Sequence, residues 1–408
     1  MNLQRMLSFE EAREKVMATL RGMRGELAAE TVDLSRSCGR VLAESIRADR
    51  DYPPFDRSIR DGFAVRAEDA VPGATLRCIG EIKAGGGFDG FVGPGECVQI
   101  MTGAAMPAGA DAVIMIEHVS IDGDRVMISR PTTRGQSIVA RGKEARAGQE
   151  LLAAATRLGY AEIALAGQVG SHHPKVYKRP RAAILSTGDE VVAVSATPGP
   201  LQVRNGNSIA LETLAALTGA EAESLGNAPD EKKELRRRIE RGLEADLLII
   251  SGGVSMGKYD LVEMVLGDLG TRFVYDSVAI RPGRPAVFGT CRGKPVFGLP
   301  GNPVSTMVTF ELFVTLAIDV LSGSEPRSLP IVRARLTHAL HEKSELTHFL
   351  PAVLQNARGE PEISVLPWQG SGDVVAMAHS NAFVIVPPEK LDWDAGEMAL
   401  VLPRRGAL

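Results

Sequence analysis

The sequence predicts a multidomain α/β protein built around a doubly wound sheet. In residues 179–323, apolar strand patterns such as RAAILS and ADLLII alternate with helical patterns such as EKKELRRRIERGL. This regular alternation is typical of a mostly parallel sheet with helices on both faces. Two of the strands, DLLII and KPVFGL, run into glycine-rich turns that open helices. In this fold class ligands bind beyond the carboxyl ends of the strands, so these turns predict the position of a site.

The rest of the chain divides into regions with different sequence patterns. Residues 1–45 and 148–178 are predicted to be helical and to pair with each other. Residues 46–147 contain short alternating runs bounded by Gly and Pro, which predicts an inserted β-rich domain. Residues 324–408 also contain short strands separated by turns, which predicts a small C-terminal barrel or sandwich. The segment LSFEEAREKVMATL predicts an amphipathic helix that begins with a capping box.

Composition excludes several classes of protein. The 408 residues carry a formal net charge of -4, so we expect no general attraction to nucleic acid or acidic membranes. The four cysteines lie far apart without a CxxC motif, which argues against a structural zinc site or a disulfide framework. The N-terminus lacks the order of a signal peptide, and no uncharged run approaches the ~18 residues of a membrane span. We therefore expect a cytoplasmic protein.

The turn SGGVSMGKYD, residues 251–260, predicts a phosphate cradle. Its spacing nearly matches a P-loop, but Tyr259 stands where a Ser or Thr would bind Mg²⁺. A looser cradle is favoured, since glycines allow close backbone approach and hydroxyl and ammonium groups hold phosphate. The predicted cradle residues are Ser251, Gly252, Gly253, Ser255 and Lys258. The alternative is an ordinary strand-to-helix turn capped by Asp260.

Carboxylates follow several strands of the same predicted sheet. Asp189 and Glu190 end the first strand in STGDE, where they would face the ligand crevice. Asp230 is either an N-cap of the next helix or a site residue, and Asp260 follows the cradle. A carboxylate set near phosphate, without His or Cys, suits Mg²⁺. The candidate metal ligands at this point are Asp189, Glu190, Asp230 and Asp260.

The second turn, GLPGNPVS, predicts an oxyanion site at a helix start. Asn302 is a plausible N-cap, Pro303 occupies the first helical position and Ser305 lies in the first turn. The nearby RPGRP places Arg281 and Arg284 on a turn, and Arg forks recognise oxyanions well. Surface arginines without a ligand are the alternative.

The predicted β-rich domain offers weaker candidates. Asp61 in PPFDRSIRDGF, Thr102 in MTGA and Glu144 in RGKEARAG would, alone, be ordinary loop residues. Ser–His–Asp chemistry has little support, because no histidine accompanies a G-x-S-x-G turn.

The ordered set PPFDRSIRDGFAV, MTGAAMPAGADAVIMIEHV, STGDE, SGGVSMGKYD, RPGRP and GLPGNPVS resembles the MoeA family, which is also found as the E domain of fusion proteins such as gephyrin. The resemblance implies a molybdopterin-binding sheet domain, a helical linker and dimerisation segment, an inserted β-rich domain and a C-terminal β-barrel. It implies an elongated homodimer that, assisted by Mg²⁺, converts adenylylated molybdopterin and molybdate into molybdenum cofactor and AMP. Implied partners are molybdopterin adenylyltransferase and apo-molybdoenzymes.

The resemblance also assigns residues. The positions carried over by motif are Asp61, Thr102, Glu190, Asp230, Asp260, Pro300 and Pro303. We expect Glu190, Asp230 and Asp260 to position Mg²⁺ and the pyrophosphate. Arg281, Arg284 and Ser305 would hold molybdate, and Ser251, Ser255 and Lys258 would hold phosphate groups. Asp61 and Thr102 would complete the pocket from the other subunit.

The chain departs from the family pattern at a few positions. Arginines replace lysines in RPGRP, and a further set of departures consists of Arg57, Arg60, Lys143, Glu144, Leu350 and Pro351. Two other functions therefore stay open: a carrier or specialised paralogue without catalysis, and adenylylation of molybdopterin.

Overall fold

The computed structural model describes residues 6–23, 25–253, 261–342, 345–357 and 359–406. The α-helices within this part of the chain are α1 (Phe9–Gly22), α2 (Tyr160–Gln168), α3 (Gly206–Thr218), α4 (Lys232–Gly242), α5 (Leu261–Asp268), α6 (Pro303–Thr309), α7 (Thr315–Leu321) and α8 (Val374–His379). A π-helical turn, Phe310–Val314, joins α6 to α7 into one continuous helix.

The strands follow in chain order. The first part of the chain contains β1 (Ala29–Thr31), β2 (Ile46–Arg47), β3 (Arg57–Ser58), β4 (Gly62–Val65), β5 (Thr75–Ile82), β6 (Glu96–Ile100), β7 (Ala112–Met115), β8 (Val119–Asp122), β9 (Arg125–Ile128), β10 (Ile138–Val139), β11 (Glu150–Leu152) and β12 (Lys175–Tyr177). The second part contains β13 (Arg181–Thr187), β14 (Val191–Val192), β15 (Val203–Arg204), β16 (Glu221–Ala228), β17 (Leu247–Ser251), β18 (Arg272–Tyr275), β19 (Ile280–Arg281), β20 (Val287–Cys291) and β21 (Lys294–Leu299). The C-terminal part contains β22 (Val332–Leu336), β23 (Leu340–His341), β24 (Thr347–Ala357), β25 (Glu360–Val365), β26 (Ala382–Val386), β27 (Asp392–Trp393) and β28 (Met398–Pro403).

The predicted helical character of residues 1–45 and 148–178 is only partly right. Apart from α1 and α2, these segments form short antiparallel pairs, β1 with β12 and β2 with β11. The two segments do pair with each other, but through β1 and β12 and not through the N-terminal helix. The apolar stripe of α1 instead packs into the core that contains α7 and the π-helical turn. The capping box of Ser8 and Glu11 is confirmed.

The inserted region is a β-domain, as predicted. Its six-stranded sheet has the order β7–β4–β6–β5–β9–β8, and β3 pairs with β10 beside it. Alternating side chains fill two apolar cores, one on each side of β4 and β6. The central strand β4 is buried throughout, whereas the outer strands β8 and β9 also carry exposed residues.

The central sheet has the order β16–β13–β17–β21–β20–β18. Its first four strands are parallel, whereas β20 and β18 are antiparallel. Successive side chains of a strand point to opposite faces, so one face packs on α1, α3 and the α6–α7 helix and the other on α4 and α5. The prediction of a doubly wound, mostly parallel sheet is confirmed.

The C-terminal strands β24, β25, β22, β28 and β26 close into a barrel, because β24 pairs with both β25 and β26. The continuous helix Pro303–Leu321 is long and apolar enough to cross a membrane by those criteria alone, but 89% of that stretch is buried inside the protein. It is therefore a core helix, which packs between the central sheet and residues of α1 and the C-terminal barrel.

Charged groups fasten the other regions to this helix. The buried carboxylate of Asp319 accepts hydrogen bonds from Arg157 (3.0 Å) and Arg327 (2.7 Å). Glu311 is paired with Arg405 at the end of the barrel. Arg13 of α1 donates to the carbonyl of Leu312 in the π-helical turn.

Candidate active site

The two glycine-rich turns touch each other at the carboxyl ends of β17 and β21. The Gly252 N–H donates to the Leu299 carbonyl (3.0 Å), which ties the first turn to the neighbouring strand. Gly252 and Gly253 have φ of 92° and 65°, a region that residues with a Cβ rarely adopt. A Cβ built on Gly301 would lie 3.5 Å from the Gly252 Cα. The two turns are therefore in van der Waals contact, and the backbone conformation of the first one favours glycine.

Asn207, in the first turn of α3, holds both turns together. Its Nδ2 donates to the Ser251 Oγ (3.0 Å) and the Gly301 carbonyl (2.7 Å), and it lies 3.3 Å from the Thr306 Oγ1. The sequence analysis missed this residue. A signal was present, since RNGNS follows the STGDE loop and opens a helix on the crevice side of the sheet.

Carboxylates follow the neighbouring strands β13 and β16. The backbone N–H of Asp230 donates to the Asp189 Oδ1 (3.0 Å), so the two loops are in contact. Glu231, not Asp230, occupies the N-cap position of α4, which removes the cap explanation for Asp230. Partial burial, with the negative charges of Asp189 and Glu190, raises the pKa of Asp230. The loops thus concentrate negative charge beside the turns.

The second helix start is built by two regions of the chain. Asn302 occupies the N-cap position of α6 and Pro303 its first turn, as predicted, but the Asn302 side chain makes no capping bond. Its Nδ2 donates instead to the Ser371 Oγ (2.8 Å), and the Ser371 carbonyl accepts from the Val304 N–H (3.0 Å). Ser371 comes from the segment before α8, and sequence reasoning missed it because no local pattern links it to α6.

Further hydrogen bonds organise the same helix start. Thr306 Oγ1 donates to the Pro300 carbonyl (2.5 Å) and lies 3.1 Å from that of Asn302. Ser305 is buried, and its carbonyl accepts from the Thr309 hydroxyl (2.8 Å). The Ser305 side chain therefore lies inside the protein, away from the exposed edge of the turn.

The RPGRP turn packs against α6. A Cβ on Gly283 would lie 2.6 Å from the Thr309 Cγ2, so this glycine permits the contact. Arg281 is exposed, whereas Arg284 is half-buried and its Nε has no hydrogen-bond partner within the described part of the chain. Arg281 also pairs in strand register with His348. Burial lowers the pKa of His348; Glu342 opposes this effect and Arg281 adds to it.

The candidates of the inserted domain lie together at one end of its sheet. Asp61 Oδ1 accepts from the backbone N–H (2.6 Å) and hydroxyl (2.8 Å) of Thr102, and these bonds lower the pKa of Asp61. Arg57 Nη2 donates to the Glu144 Oε1 (2.6 Å). Among the described residues, no hydrogen bond or ion pair joins this group to the central sheet.

Other candidates have different environments. Ser255, Lys258 and Asp260 lie outside the described residues. Across the part of the chain that the structure describes, no three His, Cys, Asp or Glu side chains are arranged to hold a metal ion. Leu350 and Pro351 are buried in β24, where Leu350 belongs to the barrel core.

Comparison with known proteins covers nearly the whole chain. Residues 7–170 match the MoeA N-terminal region (domain I and II), residues 183–320 a probable molybdopterin binding domain, and residues 333–403 the MoeA C-terminal region (domain IV).

Proteins named molybdopterin molybdenumtransferase are similar along their length. The one from Nostoc sp. is 35% identical over 91% of this chain and 88% of its own, and one from Staphylococcus aureus is 32% identical over 90% and 89%. A structure of the molybdopterin biosynthesis moeA protein from Pyrococcus horikoshii covers 98% of this chain and 100% of its own, with 28% identity and a TM-score of 0.81. The chain belongs to the MoeA family.

Proposed function

We propose that this protein is a molybdopterin molybdenumtransferase, which inserts molybdate into adenylylated molybdopterin and releases AMP and molybdenum cofactor. The single observation that carries the proposal is the contact between the two glycine turns, at residues 251–253 and 300–302, held by Asn207. Backbone N–H groups at such turns bind phosphate and other oxyanions. The similarity to named transferases over nine-tenths of the chain supports the same activity.

Each turn has a separate task in this proposal. The turn that contains Ser251, Gly252 and Gly253 holds a phosphate group of the substrate, because its backbone can approach a ligand without a Cβ in the way. The start of α6, with Pro300 and Pro303, faces the second anion. Arg281 and Arg284 hold molybdate through their guanidinium groups, and the unpaired Nε of Arg284 supports this assignment.

The acidic loops fit a divalent cation. Asp189, Glu190 and Asp230 offer hard oxygen donors. The pKa of Asp230 is raised first by its partial burial and then by the neighbouring carboxylates, whose charge a cation would offset. When bound, Mg²⁺ supplies positive charge that stabilises a phosphate leaving group. Glu190 and Asp230 hold it in our proposal, together with Asp260, which lies outside the described residues.

The proposal extends to the assembly. Asp61, Thr102 and Glu144 would complete the site from the partner subunit of a homodimer. Among the described residues, no hydrogen bond or ion pair joins this group to the central sheet of the same chain. Light scattering tests this directly, because particles of only ~43 kDa, the mass of one chain, would contradict it. We propose a cytoplasmic location and contacts with molybdopterin adenylyltransferase and apo-molybdoenzymes.

The decisive experiment incubates the purified protein with adenylylated molybdopterin, with and without Mg²⁺ and molybdate. Molybdate-dependent AMP release together with activation of an apo-molybdoenzyme is the expected result. Tight binding of the substrate without either signal would indicate a carrier. Consumption of ATP with free molybdopterin would indicate adenylylation instead.

A matched pair of variants sharpens the assay. Asp230→Asn should abolish most AMP release, whereas Glu231→Gln, one residue further along an exposed loop, should leave it unchanged. Equal activity of the two variants would contradict the assigned role of Asp230.

A further inference from the structure

Thr187 carries a buried hydroxyl that has no hydrogen-bond partner among the residues that the structure describes. It is the last residue of β13, and its side chain is 4% exposed. Buried hydroxyls are normally paired, because an unpaired polar group in the interior opposes folding. The unpaired hydroxyl of Thr187 therefore requires a specific structural explanation.

Other buried hydroxyls of this sheet domain are paired. Ser186, the preceding residue, points to the other face and contacts Asn205 (3.1 Å) and Ser208 (2.7 Å). Thr218 donates to the Leu214 carbonyl (2.7 Å) at the far end of α3. Among the described residues of the domain, the hydroxyls of Thr187, Thr271 and Tyr275 are unpaired, and the Thr187 hydroxyl is the one beside the first glycine turn.

The Thr187 hydroxyl lies directly beneath the first glycine turn. A Cβ built on Gly253 would lie 2.8 Å from the Thr187 Oγ1, and one built on Gly252 would lie 3.1 Å from it. Gly252 is partly exposed and Gly253 is exposed, so the turn separates the hydroxyl from solvent. The turn thus places backbone groups close to this hydroxyl.

The geometry of a peptide bond links that pairing to ligand binding. In a trans peptide the C=O and the following N–H point in opposite directions. If the Gly252 carbonyl turns inward to accept from the Thr187 hydroxyl, the Gly253 N–H turns outward toward solvent. Glycine permits this rotation, since both signs of φ are accessible to it.

We propose that Thr187 is a positioning residue for the phosphate site: its hydroxyl donates to the Gly252 carbonyl when ligand binds, which aims the Gly253 N–H at a phosphate oxygen. This inference rests on the proposed function for the identity of the ligand. The hydrogen bond forms only in the bound state, so it contributes to ligand affinity and not to the stability of the free protein.

The test uses the full-length protein and adenylylated molybdopterin without molybdate, so that binding is measured without turnover. Thr187→Val replaces the hydroxyl with a methyl of similar size. We expect a Kd about tenfold higher, from the loss of one hydrogen bond in a charged site, and an unfolding midpoint at or above that of the wild type. Thr187→Ser keeps the hydroxyl and should bind within about twofold of the wild type.

Thr218→Val is the matched control, because it removes a buried threonine hydroxyl that is already paired. It should lower the unfolding midpoint and leave the Kd unchanged. Thr187→Ala provides a second removal of the hydroxyl if the valine variant folds poorly, with the same expected rise in Kd.

Two outcomes would overturn the inference. One is an unchanged Kd in Thr187→Val and Thr187→Ala; the other is a fall in unfolding midpoint with no change in binding, which would make Thr187 a structural residue. Either could occur while the wild type still shows molybdate-dependent AMP release, so the inference can fail and the proposed function stand. If the wild type released no AMP but the Kd still depended on Thr187, the proposed function would fail and the inference would stand.

Discussion

Arg57 Nη2 lies 2.6 Å from Glu144 Oε1, so two residues that depart from the family pattern are paired with each other. The resemblance by motif implies Asn at position 57 and Asp at position 144 in the family pattern. The longer carboxylate reaches an arginine that the related loop lacks. The two departures therefore form one ion pair, and we expect the effects of substituting Arg57 and Glu144 to be coupled.

This dependence is measurable by a double-mutant cycle with Arg57→Asn and Glu144→Asp. Both side chains are over a third exposed, so solvent screening limits the coupling to about 0–1 kcal/mol in free energy of unfolding. For AMP release we expect the double variant to retain activity better than Glu144→Asp alone. Strictly additive effects on both measurements would show that the pairing has no consequence. Lys143→Ala, an exposed neighbour, serves as the control.

Asn207→Ala should separate the two turns. The variant loses hydrogen bonds to Ser251 and the Gly301 carbonyl, and the loss of preorganised geometry should lower kcat/KM for AMP release by roughly tenfold or more. Asn207→Asp tests the donor itself, because a carboxylate cannot donate to the Gly301 carbonyl. Normal kinetics in both variants would exclude Asn207 from the arrangement of the site.

Gly253→Ala should be strongly unfavourable. The new Cβ would lie 2.5 Å from the Val262 Cγ2 at a φ of 65°, so the expected loss is about 1–2 kcal/mol from backbone conformation, with a further steric contribution. Gly267→Ala in α5 is the control, since nothing lies within 4 Å of its Cβ and alanine favours helix. Equal stability of the two variants in urea unfolding would contradict the described packing.

Asp230 predicts the pH dependence of the reaction. In the protein without bound Mg²⁺, its raised pKa means that Asp230 becomes protonated at higher pH than an ordinary Asp. Binding of Mg²⁺, and with it AMP release, should therefore weaken as the pH drops through this raised value. Asp189→Asn removes a neighbouring negative charge and should move the acid limb to lower pH. An acid limb that is identical in the variant would show that Asp230 does not control it.

The same shift has a defined sign for stability. Because the folded-state pKa of Asp230 is raised, its ionisation opposes folding; this effect is absent below the ordinary pKa of Asp and complete above the raised pKa. Asp230→Asn should therefore increase the free energy of unfolding at neutral pH relative to acid pH. A urea unfolding series across pH measures this, and the reverse trend would contradict the assignment.

Asp319→Ala should destabilise the junction between regions. It leaves Arg157 and Arg327 without their buried partner, and removing one member of a buried ion pair typically costs about 3–5 kcal/mol. Asp319→Asn keeps a hydrogen-bond acceptor and should lose less. Circular dichroism during urea unfolding compares the two variants, and equal, small losses would show that the ion pairs contribute little.

Sequence patterns predicted the sheet domain well because its signals are local. The strands alternate with helices at regular spacing, and the CRG turn of the β20–β21 hairpin has the positive φ at Arg292 and Gly293 expected of a two-residue turn. The glycine turns were found for the same reason, since each follows its strand directly in sequence.

The remaining features depend on contacts between distant residues. Ser371 reaches α6 from the region of the barrel, and Asn207 joins two other segments, one at Ser251 and one at Gly301 and Thr306. Neither contact joins residues at a spacing that a local sequence pattern could reveal. The placement of α1 was missed because its apolar stripe fits any core, and only tertiary packing selects the one beside α7.

The position of α1 has a consequence for how the chain folds during synthesis. Arg13 and Leu312 are in contact although 299 residues separate them. Helix α1 emerges from the ribosome first, yet its partners in the continuous helix are made only after the inserted domain and most of the sheet. The apolar face of α1 therefore stays exposed to water until the continuous helix has been synthesised. A fragment that began at residue 179 would therefore expose the apolar surface that α1 covers, and we expect it to aggregate.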